Sequence, residues 1–254
     1  VSSWQQLAAL NNAEWCSVMA SVHGVTTRFA PDAWTSDTRS PSLYPDAVTL
    51  VPRPSVPELL ARIDASAGCT VKDSFAALDL SDHGFSVLFG AEWIVHRMDG
   101  PPPLSSGMRW AAVDGAVGLA SWQRAWRGDG AGKDFFRPEL LDVSSVAVLA
   151  GLVGDRVAAG AVVNHSATVL GLSNFFVTSG AEGVALSGCT ALARSTFPDA
   201  TAVVGYESGT ALQAALTHGF KSVGALQVWI RRPVTEVTRP SGTCVRRDGP
   251  PHQR

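Results

Sequence analysis

The chain has little cysteine, little charge and no long apolar run, and each shortage removes a class of function. Its four cysteines, Cys16, Cys69, Cys189 and Cys244, are scattered, with no Cys-x-x-Cys and no Cys/His spacing suited to structural zinc, so no metal is expected. Thiols this dispersed in a chain of this length read as reduced, which points to the cytoplasm. Charged residues are 17 % of the chain and the formal net charge is −2, so neither nucleic acid nor a membrane surface is an expected partner. No stretch of about 18 apolar residues exists to cross a bilayer. The opening Val1-Ser2-Ser3-Trp4 has neither a basic segment nor an apolar core, so no signal peptide is expected there. No acidic cluster is visible either, and such a cluster would suit a basic protein or peptide substrate.

What remains is a chain of 254 residues, 46 % hydrophobic, ample for a buried core of one or two domains. Residues 3–22 read as a helix carrying Trp4, Leu7, Leu10, Trp15 and Met19. Residues 31–56 are rich in Pro, Ser, Thr and Asp and read as a long irregular stretch on the surface or lining a site. A short helix follows to about residue 65, then a strand over 70–80, a turn at Asp82-His83-Gly84, and one or two strands over 85–95. Pro101-Pro102-Pro103 is a stiff break, and 110–126 reads as strand or turn and then helix. The loop Gly128-Asp129-Gly130-Ala131-Gly132-Lys133 lacks the spacing of a nucleotide-binding glycine loop, because Asp134 follows the lysine.

From Ser144 the pattern is cleaner. Strands are expected over 146–153, 156–164 and 169–178, a helix over 181–196, a strand over 202–205, a helix over 210–217 and a strand over 223–230. The order is β-β-β-α-β-α-β. At its centre, Asn174-Phe175-Phe176-Val177-Thr178-Ser179-Gly180-Ala181-Glu182-Gly183-Val184-Ala185 ends a buried strand in small residues and starts a helix. Free N–H groups at such a helix start, with no bulky side chain in the way, make a cradle for phosphate.

These residues resemble the catalytic core of the GCN5-related N-acetyltransferase (GNAT) superfamily, which uses acyl-CoA donors. The family's Q/R-x-x-G-x-G/A falls on Gly180 to Ala185, and its strand, helix, Gly-Phe corner and closing strand on 205–230, with Gly219-Phe220 at the corner. The resemblance covers residues 144–232. It implies a mixed, mostly antiparallel sheet flanked by helices, an α/β fold, with acetyl-CoA or a longer acyl-CoA as co-substrate. The sequence divides on this reading into 1–134, an N-terminal α/β half suited to a divergent GNAT-like domain shaping the acceptor pocket; 135–232, the catalytic core; and 233–254, a tail. Departures are plain. Gly180 stands where the family has Gln or Arg, and Glu182 where a basic residue is common. The family's tyrosine, asparagine and glutamate fall on Ala215, Ser208 and near Gly171.

The resemblance implies that backbone N–H of Phe176 or Val177 receives the acyl carbonyl, and that Thr178, Gly180, Ala181, Gly183, Val184 and Ala185 hold the pantetheine arm and pyrophosphate. Transfer to an amine also needs a base and a proton for the leaving sulfur. His165, after a core strand, has a suitable pKa. Glu207 stands at the end of the strand facing the site, where capping the next helix is its other role. Asn174 and Ser173 are polar positions in an apolar strand, and Tyr206 is a candidate proton donor. Trp34 is the candidate pocket wall, whereas Trp15, Trp93, Trp122 and Trp126 read as core. The expected acceptor is a small-molecule primary amine, such as an amino sugar, an antibiotic or an amino acid; two-part members of the superfamily include enzymes that acylate antibiotic amino sugars. A non-catalytic acyl-CoA binder is the alternative. A serine hydrolase is disfavoured, because Gly205-Tyr206-Glu207-Ser208-Gly209 is one residue out of step with a nucleophile elbow.

Overall fold

The chain enters through α1 (Trp4–Val22), whose N-terminus is closed by a capping box between Ser3 and Gln6. Five of its buried residues, Ala8, Ala9, Ala13, Cys16 and Ala20, are small, which lets the helix settle close against a sheet, while Trp15 and Met19 fill the core beside it. The computed structural model describes residues 2–99, 108–128, 135–178 and 182–233, with 182 and 183 described by backbone alone. The expected break at 101–103, the glycine loop from Asp129 to Asp134 and the tail beyond residue 233 lie outside the described residues.

After α1 come β1 (Thr27–Phe29), β2 (Ala33–Ser36), β3 (Ala47–Thr49), α2 (Val56–Leu60), β4 (Thr70–Asp73), β5 (Phe85–Arg97), β6 (Arg109–Ala112) and α3 (Gly115–Arg127). The second half gives β7 (Val146–Val153), β8 (Arg156–Ser166), β9 (Val169–Val177), α4 (Glu182–Thr196), β10 (Ala202–Glu207), α5 (Gly209–Thr217) and β11 (Lys221–Arg231). Among the described residues the strands form one sheet, ordered β1-β2-β3-β4-β11-β5-β10-β9-β8-β7-β6. Its pairs are antiparallel except β3–β4 and β9–β10. Strands from both sides of residue 134 are interleaved, because β5 is bonded on one edge to β10 and on the other to β11.

Alternation along the strands sorts the cores. On one face Val163, Leu170 and Val203 pack with Cys189 and Ala193 of α4 and Leu212 and Ala215 of α5. On the other, Trp93, Val204 and Val228 meet Ala8 and Ala9 of α1, and Trp122 of α3 packs with Trp15, Val148 and Val162. Trp15, Trp93 and Trp122 are fully buried and Trp126 stacks on Trp122, so these four are core as expected.

Residues 31–56 are mostly irregular, as expected, but also hold the short strands β2 and β3, every residue of which is buried. Strands of three and four residues are too short to show alternation in sequence. The strand expected over 70–80 stops at Asp73, because the Asp73 carboxylate accepts from the backbone N–H of Phe75, Ala77 and Leu78 and turns the chain. Asp73→Ala removes acceptors for buried amides and is expected to cost about 2–3 kcal/mol in a chemical unfolding titration, with Asp73→Asn costing less.

Candidate functional site

β9 and β10 are bonded only at their starts, where Val169, Leu170 and Gly171 face Ala202, Val203 and Val204. Beyond this the strands part. β10 goes on through Gly205, Tyr206 and Glu207 bonded to β5 alone. β9 bulges: Gly160 pairs with Phe176 but Val162 with Ser173, which leaves Asn174 and Phe175 against Ala161 alone. Asn174 takes φ 54°, a left-handed conformation that asparagine tolerates better than most residues. The bulge re-aims the end of β9 and opens a cleft between two sheet strands.

Alternation decides which amides face this cleft. Thr178 N–H bonds to the Ala158 carbonyl at 2.8 Å, so Val177 N–H turns away from β8 and into the gap. The Phe176 amide faces β8, and its ring packs edge-on against Trp122 at 5.3 Å. Of the two expected amides, the geometry therefore leaves Val177. The Thr178 hydroxyl donates to the Ala158 carbonyl at 3.0 Å. Gly180 and Ala181 lie outside the described residues, as does the side chain of Glu182. The backbone of Gly183 and Val184 stands in the first turn of α4, where helix amides have no intrahelical partner. The Val184 side chain is exposed, whereas Ala185 is fully buried beneath the helix, so only its backbone is of use to a ligand.

Two cavities flank the end of β10. On the α5 face, one of about 350 Å³ is lined by Glu92, Glu207, Ser208, Leu212 and Gln227. Glu207 is half-buried there, and burial raises its carboxyl above the usual carboxylate range. Its register partner is Glu92. Ser208, the N-cap of α5, makes no side-chain capping bond. On the α1 face, a cavity of about 500 Å³ is lined by residues 39–46, Thr70, Lys72, Leu88, Phe89, Tyr206 and Val228. The Tyr206 ring stands edge-on to Trp93 and under the Lys72 ammonium, 4.1 Å from ring centre to Nζ.

The structure brings Ser173, Asn174, Val177, Tyr206 and Glu207 to the separating strand ends. It does not bring His165 there. His165 pairs with Leu170 at the opposite end of β9, roughly 20 Å from Val177 at about 3.3 Å per residue. Its ring stacks on Phe197 at 5.4 Å. An antiparallel hairpin puts the residues just before its turn far from the end of its second strand, so the histidine lies away from the cleft. Trp34 is also corrected: it is fully buried in β2 among Ala13, Cys16 and Val48, behind Tyr44, and lines neither cavity. At Gly171, where the resemblance to the family would place a glutamate, the missing side chain leaves room for a reciprocal amide pair. Asn11 Nδ2 donates to the Asn164 carbonyl at 3.0 Å and Asn164 Nδ2 to the Asn11 carbonyl at 3.1 Å. Sequence reasoning missed Lys72, Asn12 and Tyr44. The signal for Lys72 was a lysine at an inward position of the strand Thr70-Val71-Lys72-Asp73.

No family profile and no curated protein matches the chain. Solved structures do. A GCN5-related N-acetyltransferase from Kribbella flavida is 16 % identical with a TM-score of 0.64, the match covering 89 % of this chain and 96 % of that one. A protein described as a GNAT-family acetyltransferase from Novosphingobium aromaticivorans is 12 % identical with a TM-score of 0.52, over 89 % and 99 % of the two chains. A Drosophila protein is 11 % identical with a TM-score of 0.52, over 90 % of each. At these identities the likeness is one of fold. The chain has the GNAT fold, a mixed and mostly antiparallel sheet flanked by helices, and the match extends across both of its halves.

Proposed function

We propose that the protein is an acyl-CoA-dependent N-acyltransferase that moves an acetyl or longer acyl group to the primary amine of a small molecule, in the cytoplasm. The cleft between β9 and β10, with an outward amide at Val177 and a helix start just beyond, carries the reading. A thioester lying in that cleft offers its carbonyl oxygen to Val177 N–H, a donor already oriented by the β8 ladder. The pyrophosphate of its CoA arm meets the first amides of α4, at Gly183 and Val184, where the helix dipole favours negative charge. In the transfer the amine nitrogen bonds to the acyl carbon, the C–S bond breaks, and the sulfur leaves as thiolate to take up a proton. Glu207, on the opposite face of the strand end from Tyr206, accepts the proton that the amine loses through water at the open end of the cleft. Its side chain has no hydrogen bond or ion pair among the described residues, so no competing partner ties it down. The N-terminal half supplies the 39–46 loop and β4 that wall the cavity beside Tyr206, and we assign the acceptor to that cavity.

The test is thiol release. With acetyl-CoA and a panel of small amines, including amino sugars and amino acids, at least one amine is expected to raise free thiol above the buffer rate. CoA binding without thiol release for any amine or acyl length overturns the enzyme and favours a binding protein, a reading for which Ala215 at the family's tyrosine position speaks.

A further inference from the structure

Lys72 is a lysine without an anion. Its side chain is 3 % exposed, its Nζ donates to Asn12 Oδ1 at 2.7 Å, and the rings of Tyr206 and Trp93 lie at 4.1 and 6.0 Å. Among the described residues no carboxylate lies within ion-pair distance of it. A buried ammonium carries three donors, and an amide oxygen and two ring faces leave it short of the charge partner that burial demands. The nearby acids are committed elsewhere. Asp46 accepts from Arg39 at 2.8 Å and from the backbone N–H of Ser40 and Thr70. Asp73, the next residue, points to the other face and takes the turn amides.

The same 500 Å³ cavity holds further polar atoms without partners. The Tyr44 hydroxyl and the Ser40 hydroxyl are both buried and unbonded, and both residues line it. Lysine, tyrosine and serine are a set of donors, and the group they lack is an acceptor with negative charge. Arg39, Ser42, Asp46 and Thr70 also line it, the Asp46 carboxylate being held by Arg39 and two backbone amides, and its apolar wall is Leu43, Leu88, Phe89 and Val228, of which Leu43, Leu88 and Phe89 are exposed. We propose that this cavity binds the carboxylate of an apolar amino acid, with Lys72 as its counter-ion, Tyr44 and Ser40 as hydrogen-bond donors, and the side chain resting on Leu88 and Phe89. Resting on the function proposed above, it narrows the acceptor to an amine that also carries an acid. Amino sugars, which have no carboxylate, leave Lys72 unpaired.

The experiment is a binding measurement, independent of turnover. Leucine, phenylalanine and methionine, each beside the matching amine that lacks the carboxylate, are titrated calorimetrically into the wild type, Lys72→Met and Tyr44→Phe. The first replacement keeps most of the length of the side chain and removes a buried charge; the second removes one hydroxyl. At least one amino acid is expected to bind the wild type, ten-fold or more weaker in Lys72→Met and several-fold weaker in Tyr44→Phe, with the matched amines unaffected by either change. Failure of all three amino acids to bind the wild type, or equal affinity in all three proteins, overturns the proposal. Amino-acid binding that depends on Lys72 in a protein that never releases thiol sinks the transferase and leaves the carboxylate site standing. Thiol release with the decarboxylated amines as efficient as with the amino acids does the reverse.

Discussion

Glu207→Gln is expected to lower kcat by about 100- to 10,000-fold, the range over which a positioned base contributes, and to leave the fold intact. Two properties of the site set this expectation. Glu207 ends β10 where that strand has left β9, and it is half-buried without a partner that would hold it. Burial favours the neutral form, so the carboxyl titrates above the usual carboxylate range. The wild-type rate should rise with pH through that raised pKa, as the carboxylate able to take a proton forms, and the glutamine variant should lose this acidic limb. Stability should move the other way. An acid whose pKa is higher folded than unfolded stabilises the protein fully below the unfolded value and loses that contribution as pH rises through the folded value. At neutral pH the wild type therefore carries a buried charge that glutamine does not, and Glu207→Gln should melt no lower than wild type. A parallel loss of activity and melting temperature would make Glu207 structural.

The largest effect on stability is expected at Gly171. Here β9 passes beneath α1, and a Cβ at this position would run into the side-chain oxygens of Asn11 and Asn164. Those two residues are buried and bond each other's carbonyls, and they tie the first helix to the centre of the sheet across 153 positions of sequence. Gly171→Ala must push one amide aside, which overpacks the contact and orphans buried polar groups together. We expect a cost of about 3 kcal/mol and a fall in melting temperature of about 6–12 °C in a chain of this size. Asn164→Ala alongside Gly171→Ala gives the matching cycle: because alanine at 164 makes room, the double variant should recover part of the loss. If the two costs simply add, the pair is not what limits the fold there.

The second half of the chain was legible because its signals are local. Strands of eight to eleven residues, β7, β8 and β9, are largely apolar runs bounded by turn residues, and Gly219 (φ 88°) closes α5 as a left-handed residue should. His218 Nδ1 lies 2.7 Å from the Ala214 carbonyl, the helix-capping place that its neighbour implied. What was not legible is long-range. Nothing in Phe85–Arg97 says that this strand will lie between β10 and β11, since edge pairing depends on partners more than a hundred residues away. The candidate site divides along the same line. Val177 and Glu207 stand beside the turns that mark them. His165 was misplaced because adjacency to a core strand says nothing about which end of it the residue occupies. Lys72 comes from an expected strand and Tyr44 from a stretch read as surface or site lining, and nothing in either segment shows that β3 and β4 close beneath α1 and turn both side chains inward.

A crystal structure with acetyl-CoA tests the acyl-transfer cleft most directly. The thioester is expected between β9 and β10, its carbonyl oxygen within hydrogen-bond distance of Val177 N–H and its pyrophosphate on the first turn of α4. A nucleotide seated anywhere else, or a cleft filled by protein side chains with no acetyl-CoA bound at saturating concentration, would contradict this placement.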